Sequence, residues 1–184
     1  MLLHPHRSQR SSDRQLMGST HNRVVVVDTT FARIDMGAIV AGQIEISAPA
    51  GELAIERITV PGFKDLTAAS RRAINDGAAI VLACAMPGPE PIDESCAREA
   101  SLGLQTVQAL TGVAVLEVFV HMTEALDADA SVDEELLVEI CRRRCEGHAD
   151  NAVWMVLDPA MMTHRAGTGR RQGADHAGPV SSRR

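Results

Sequence analysis

Four short, mostly apolar runs alternate along the chain with longer stretches of helical spacing. The runs are RVVVVD (23–28), LAIERITV (53–60), AAIVLACAM (78–86) and VAVLEVFV (113–120). Runs that are largely β-branched and apolar are typical of strands buried on both faces of a parallel sheet. The alternation therefore predicts an α/β domain with a four-stranded parallel sheet and helices on both of its faces.

The stretches between and after these runs have the spacing of helices. We expect helices over 32–46, 64–76, 94–110 and 132–157. Asp93 is expected to cap the third of them, and the last is expected to stop before Pro159. A single α/β domain is predicted over 23–164.

The two ends of the chain have a different composition. Residues 1–22 are polar, basic and aperiodic, which predicts a disordered extension. Residues 165–184 are rich in Gly, Arg and Ser and are expected to form an extended tail.

Composition excludes several classes of function. A net charge of −6 and 2% aromatic residues argue against a nucleic-acid-binding protein. No run approaches the roughly 20 apolar residues of a membrane span, so no membrane association is expected. The N-terminal stretch has no apolar segment of the secretory kind, so we expect a cytoplasmic protein with reduced cysteines. Cys141, Cys145 and His148 share one helical face, where packing is favoured over zinc because a fourth ligand is missing.

Ligands of open parallel sheets bind at the carboxyl ends of the strands. The segments there are DTTFAR (28–33), VPGFKD (60–65), MPGPEP (86–91) and VHMTEA (120–125). None of them is a glycine-rich phosphate loop. Their mixture of hydroxyl, apolar and flat side chains suits an uncharged heteroaromatic ligand that carries hydroxyl groups.

The same segments carry a family resemblance. VVDTTFARIDMG, TVPGFKDLTAA, MPGPEPIDESCAREASLGL, LEVFVH and HADN…AGTGRRQG…AGP are similar to archaeal-type riboflavin synthases, which are related to the lumazine synthases. The match runs from about Val24 to Pro179. It implies a flavodoxin-like three-layer sandwich of the lumazine synthase type.

The resemblance also implies an activity, which is a dismutation without an organic cofactor. Two molecules of 6,7-dimethyl-8-ribityllumazine exchange a four-carbon unit and give riboflavin and 5-amino-6-ribitylaminopyrimidinedione. Family members form homopentamers with active sites between subunits, and some need magnesium. In this chain Met122 and Thr123 replace two acids that follow the histidine in the family pattern, so only Glu124 is left as a carboxylate.

Three ionisable residues at the strand ends are the candidate catalytic groups. His121 is suited to proton transfer near neutral pH. Lys64, which is the only lysine of the chain, and Asp65 are suited to binding ribityl hydroxyls or a developing negative charge. The alternatives are that His121 has only a structural role and that Lys64 and Asp65 are solvated residues at the start of a helix.

Most of the candidate substrate-binding residues come from the same turns. Phe31 is expected to stack on a lumazine ring, and Glu99 is expected to face the active site of a neighbouring subunit. The candidates are Thr29, Thr30, Phe31, Val60, Pro61, Gly62, Met86, Pro87, Gly88, Glu99 and Glu124. No residue is assigned to a metal.

Three other functions stay open at this point. The chain could be a lumazine synthase, although its 86–95 segment has no basic residue for a substrate phosphate. It could instead be a divergent enzyme that modifies a lumazine or a flavin. A non-catalytic flavin-binding or shell-forming protein is the third possibility.

Overall fold

The computed structural model describes residues 22–170 and Gly178. The predicted N-terminal extension lies outside the described residues except for Asn22, and so does most of the predicted tail. Four strands and five helices follow in the order β1 (Arg23–Thr29), α1 (Met36–Ser47), β2 (Ala54–Val60), α2 (Phe63–Asn75), β3 (Ile80–Ala85), α3 (Pro91–Thr111), β4 (Val115–Phe119), α4 (Glu134–Leu157) and α5 (Pro159–His164). A short 3₁₀ segment, Met122–Ala125, follows β4.

The four strands form one parallel sheet in the order β2-β1-β3-β4. Val26 in β1 pairs with Arg57 in β2 and with Leu82 in β3, so β1 is covered by hydrogen-bonded neighbours on both sides. The predicted α/β fold with a four-stranded parallel sheet is confirmed. The chain adds β2 on one side of β1 and then adds β3 on the other side. The carboxyl ends of β1 and β3 therefore flank the position where sheets of this kind bind ligands.

Alternate residues of each strand supply two separate cores. Val24 and Val26 pack in the layer formed with α1 and α4, whereas Val25 and Val27 pack in the layer formed with α2 and α3. All four valines have no exposed surface. Burial of one such side chain stabilises the fold by about 1.5–3 kcal/mol, so the continuous valine run ties both layers to the sheet.

The observed helix starts differ from the predicted ones, by one residue for α2 and by two to four residues for α1, α3 and α4. α1 begins at Met36 instead of residue 32, because the Asp35 carboxylate caps it by accepting a hydrogen bond from the Ala38 N–H at 3.0 Å. α3 begins at Pro91, and Glu90 takes the capping position that was predicted for Asp93. Proline suits the first turn because its missing N–H would have no partner there.

The last predicted helix differs at its start, whereas its end at Leu157 is as predicted. α4 begins at Glu134, where the Asp133 carboxylate accepts from the Leu136 N–H at 2.9 Å. Pro159 ends α4 as predicted, but it also opens the short helix α5.

The inner face of α4 carries the cysteines and the buried histidine. Cys141, Cys145 and His148 lie in the core, and the two Sγ atoms are 4.0 Å apart. Burial, and then the nearby positive charge of Arg144, lower the pKa of His148 to about 4. The packing interpretation of this face is confirmed.

The first residues of the predicted tail fold back on α4. The guanidinium of Arg165 lies 3.3 Å from the ring centroid of Trp154, and that of Arg170 lies 5.6 Å from it. None of the helices in the described part of the chain is long and apolar enough to cross a membrane.

Candidate active site at the carboxyl edge of the sheet

The ends of β1 and β2 are joined by hydrogen bonds through Thr30. Its N–H donates to the Val60 carbonyl at 2.9 Å, and its hydroxyl donates to the Pro61 carbonyl at 3.2 Å. The structure therefore brings three of the predicted site residues together. Thr29 lies beside them, buried, and its Oγ1 has no hydrogen-bond partner among the described residues.

Phe31 follows this junction, and 52% of its surface is exposed. A single aromatic residue at the end of a strand usually packs between sheet and helix, where burial of its ring stabilises the fold. Phe31 leaves its ring open to solvent instead. This placement favours contact with a flat ligand.

A charged cluster that was not predicted from the sequence lies near Thr30. Arg57 in β2 donates hydrogen bonds to Asp28 and to Asp35, and the Thr59 hydroxyl donates to the other Asp28 oxygen at 2.7 Å. The hydrogen bond to Asp28 is the main cause that raises the pKa of Arg57. A cavity of about 270 Å³ lies over this cluster, lined also by Thr29 and Thr30. Opposite charges inside two adjacent apolar strands are the signal that would have indicated the pair.

The turn between β2 and α2 holds its two charged candidates in different ways. The Asp65 carboxylate accepts a hydrogen bond from the Gly62 N–H at 3.2 Å and so caps α2. Lys64 is exposed and lies 3.0 Å from the Glu99 carboxylate on α3. Its hydrogen bond to Glu99 raises the pKa of Lys64. Lys64 and Glu99 thus form one ion pair between two helices.

The turn between β3 and α3 is more enclosed than the other three. Met86, Pro87 and Gly88 are buried. A Cβ atom on Gly88 would lie 2.3 Å from an Asp93 carboxylate oxygen, so the first turn of α3 packs directly on this glycine. The structure places these three predicted residues in buried positions at the end of β3, the strand next to β1.

His121 follows β4, and its ring is held by an acid from α3. Its Nδ1 lies 2.9 Å from each carboxylate oxygen of Glu94. Its backbone N–H donates to the Glu124 carboxylate, also at 2.9 Å. Glu94 is the first residue of the predicted helix 94–110, and its contact with His121 was not predicted because the two positions are 27 residues apart.

Glu124 is itself fixed by Arg144 on α4. The guanidinium donates at 2.6 Å to each Glu124 oxygen and at 2.7 Å to the Phe119 carbonyl. Burial raises the pKa of Glu124, but the hydrogen bonds from Arg144 and the His121 N–H outweigh it and leave that pKa below its ordinary value. The side chain of Arg144 is only 15% exposed, because it is turned toward Glu124 and the Phe119 carbonyl.

Glu124 is therefore unsuited to hold a magnesium ion, since Arg144 engages both of its carboxylate oxygens. Within residues 22–170, no three His, Cys, Asp or Glu side chains lie close enough together to hold a metal. The residues present do not fit a magnesium ion bound by carboxylates of this chain.

The site consists of two groups of residues at one edge. Thr30, Phe31 and Pro61 lie at the ends of β1 and β2, while His121, Glu94 and Glu124 lie at the end of β4. Phe63 at the start of α2 and Phe119 at the end of β4 make an edge-to-face contact with 5.2 Å between their ring centroids. The arrangement offers a stacking surface and an imidazole that an acid orients.

A comparison with models of known protein families shows which family this chain belongs to. Residues 21–158 match the family model described as 6,7-dimethyl-8-ribityllumazine synthase. The chain belongs to this family. The matched residues include all four strands and both groups of the site.

Relatives within the family carry a more specific name. A riboflavin synthase of Methanothermobacter thermautotrophicus is 42% identical over 159 residues, which cover 86% of this chain and 99% of the relative. Riboflavin synthases of Aeropyrum pernix and Archaeoglobus fulgidus are 37% and 34% identical. Those matches cover 85% and 86% of this chain, and 97% and 98% of the respective relatives.

Proposed function

We propose that this protein is a riboflavin synthase that converts two molecules of 6,7-dimethyl-8-ribityllumazine to riboflavin and 5-amino-6-ribitylaminopyrimidinedione. The observation that carries the proposal is the similarity to riboflavin synthases over nearly their whole length. The geometry supports it, because Phe31 presents an open ring and His121 an oriented imidazole at the ligand-binding edge.

The reaction needs positioning and charge stabilisation more than redox chemistry. One lumazine loses a proton from its C7 methyl group, and the carbanion attacks the second lumazine. Because the ring system delocalises the negative charge, the protein mainly has to hold two flat rings together and supply a base. Phe31 supplies the stacking surface in this proposal, and His121 the base.

Lumazine synthase is a second candidate, because the matching family model is described by that activity. It joins a pyrimidine to a four-carbon phosphate, and a phosphate requires cationic or N–H donors. The segment 86–95 contains no Lys, Arg or His and has three acids, Glu90, Asp93 and Glu94. This charge balance supports the riboflavin synthase proposal over the alternative.

The decisive experiment supplies the purified protein with 6,7-dimethyl-8-ribityllumazine alone, without nicotinamide or flavin. We expect riboflavin and the pyrimidine product in equal amounts, measured by chromatography with fluorescence detection. A parallel reaction supplies the pyrimidine and the four-carbon phosphate. Product in the second reaction only would establish lumazine synthase, and binding of lumazine without turnover would indicate a flavin-binding or shell-forming protein.

Each reaction is run with added magnesium and with a chelator. We expect the same rate in both, because Glu124 is engaged by Arg144 and no three His, Cys, Asp or Glu side chains within residues 22–170 are placed to hold a metal ion. A rate that requires magnesium would contradict this part of the proposal.

We also propose a homo-oligomer, of which a pentamer with inter-subunit sites is the leading form. Two features of this chain support it. The two groups of site residues lie at an open edge, and α3 exposes Ile92, Leu102 and Leu110 along one side. Exposed apolar residues that recur on one side of a helix mark a surface that a second copy can cover. A cytoplasmic location remains part of this proposal.

A further inference from the structure

The chemistry of the two groups determines which of them donates the hydrogen bond between His121 and Glu94. Both carboxylate oxygens of Glu94 lie 2.9 Å from Nδ1, and the two side chains are 32% and 22% exposed. An ionised carboxylate can only accept hydrogen bonds. A neutral imidazole next to it must therefore carry its proton on Nδ1, which leaves the lone pair on Nε2.

The other ring nitrogen is available for a ligand. Nε2 has no hydrogen-bond partner among the described residues, whereas Nδ1 is engaged. Three elements hold the residue in place: α3 through Glu94, the 3₁₀ segment through the bond from the His121 N–H to Glu124, and α4 through Arg144 on Glu124. The ring is thus oriented before any substrate arrives.

We propose that Glu94 is a positioning residue, which fixes the tautomer of His121 and stabilises the imidazolium formed when Nε2 takes a proton. This inference rests on the proposed function. In that reaction the C–H bond of the C7 methyl group breaks, its electron pair stays on the lumazine, and the proton moves to Nε2. Glu94 remains ionised throughout, as the acid does in other carboxylate–histidine pairs.

The charged groups around His121 predict how the rate depends on pH. Glu94 faces the imidazole from α3, Glu124 accepts from its backbone N–H, and Arg144 is directed to Glu124. Only the Glu94 carboxylate contacts the ring among these groups. Removal of its charge makes Nε2 a weaker base and makes the imidazolium less stable.

The test compares Glu94→Gln with Glu139→Gln, which removes the same charge from an exposed position on α4. For Glu94→Gln we expect kcat to fall about tenfold or more while KM stays within about twofold. We also expect the acidic limb of the pH–rate profile to move to lower pH, because the imidazolium loses the opposite charge beside it. Glu139→Gln should match the wild type.

A purely structural Glu94 would give a different result. It would lower the melting temperature of Glu94→Gln without moving the pH–rate profile, and that outcome would overturn the proposal. Glu94→Asp, which restores the charge on a shorter side chain, should recover part of the lost kcat. No recovery in a folded Glu94→Asp enzyme, with an unshifted profile, would also contradict it.

A second measurement does not depend on turnover. The ¹⁵N chemical shifts of His121 in the wild-type protein, assigned by comparison with His121→Ala, should report the Nδ1–H tautomer at high pH. The Nε2–H tautomer would refute the pair even if the enzyme is active. If the wild type forms no riboflavin but shows the Nδ1–H tautomer, the proposed function fails and the positioning of His121 stands.

Discussion

Phe31 is the residue whose exposure most directly predicts a binding effect. For Phe31→Ala we expect a loss of lumazine affinity of about 1–3 kcal/mol, the range found when an aromatic residue that stacks on a base is removed. The melting temperature should hardly change, because 52% of the residue is already exposed. Fluorescence titration with lumazine and thermal unfolding on the same preparations measure both quantities.

Two variants make this result specific. Phe31→Tyr keeps the ring and should keep the affinity. Ile46→Ala removes apolar surface from a residue of α1 that is 79% exposed, and it should leave lumazine binding unchanged. Equal affinity of Phe31→Ala and wild type would remove Phe31 from the site.

Arg144 predicts a stability effect that depends on pH. Arg144→Gln should lower the free energy of unfolding at pH 7 by about 1–3 kcal/mol, because it leaves Glu124 and the Phe119 carbonyl without their partner. The folded pKa of Glu124 is lowered. Its contribution is therefore complete above the ordinary glutamate pKa and is lost as the pH falls through the lowered value. Urea titrations should show the difference from wild type shrinking below about pH 4.

Arg142 provides the matched control on the same helix. Its side chain is 58% exposed and lies 3.6 Å from Glu146. Solvent-exposed pairs of this kind contribute about 0–1 kcal/mol, so Arg142→Gln should be close to wild type at every pH. A difference for Arg144→Gln that persists unchanged at low pH would contradict the role given to Glu124.

Sequence reasoning placed individual residues at the ligand edge but not the pairs that they form. His121, Lys64 and Glu124 follow or precede elements that the periodicity identifies. Their partners Glu94, Glu99 and Arg144 come from helices whose orientation depends on packing. The triplet 142–144 shows this, because three identical arginines look alike in sequence while only the rotation of α4 decides which one turns inward.

At the scale of elements, α1 depends on a close approach to the sheet at Gly37. A Cβ atom there would lie 2.3 Å from an Asp28 carboxylate oxygen and 2.6 Å from Arg57 Nε. Because these two side chains are paired with each other, neither can move without breaking that ion pair. Gly37→Ala should therefore cost about 1–3 kcal/mol of unfolding free energy, measured by chemical denaturation.

Gly42 in the same helix gives the opposite expectation. A Cβ atom at Gly42 meets nothing within 4 Å. Gly42→Ala should stabilise the protein by roughly 0.5–1 kcal/mol, since alanine loses less backbone freedom on folding. Destabilisation by both variants would mean that helix α1 rejects alanine for a reason other than the contact with Asp28.

The elements themselves were largely predictable, but their first turns were not. RVVVVD identifies a buried strand without ambiguity, because both of its faces are apolar and both are covered. The start of α1 was predicted too early, since Ile34 continues the apolar pattern in front of the capping Asp35. Apolar spacing reports burial, whereas a helix begins where a side chain satisfies its free N–H groups.

At the scale of the whole molecule, the exposed side of α3 predicts how copies associate. Leu102 is 65% exposed in the single chain, and Ile92 and Leu110 lie on the same side. If a second copy covers this side, Leu102→Arg places a charge in the interface and should give a smaller species with lower turnover. Light scattering coupled to size-exclusion chromatography, together with the lumazine assay, measures both.

Leu136→Arg is the control on the opposite layer. Leu136 belongs to α4 and is 39% exposed, so the same substitution adds the same charge away from α3. It should leave mass and turnover unchanged. A Leu102→Arg protein with the wild-type mass would rule out this side of α3 as the contact between copies.

Composition and periodicity did not predict the order of the strands in the sheet. Strand–helix alternation predicts a parallel sheet, yet β2-β1-β3-β4 requires the chain to reverse direction after its second strand. The reversal places the ends of β1 and β3 side by side, and it decides which turns can share one ligand.

Trp154 gives the molecule a built-in optical probe. The chain has one tryptophan and no tyrosine, so ultraviolet emission from the protein originates at a single place on α4. Two guanidinium groups from the residues after α5 lie over that indole. Its emission intensity and wavelength therefore report whether the start of the C-terminal segment is seated on α4.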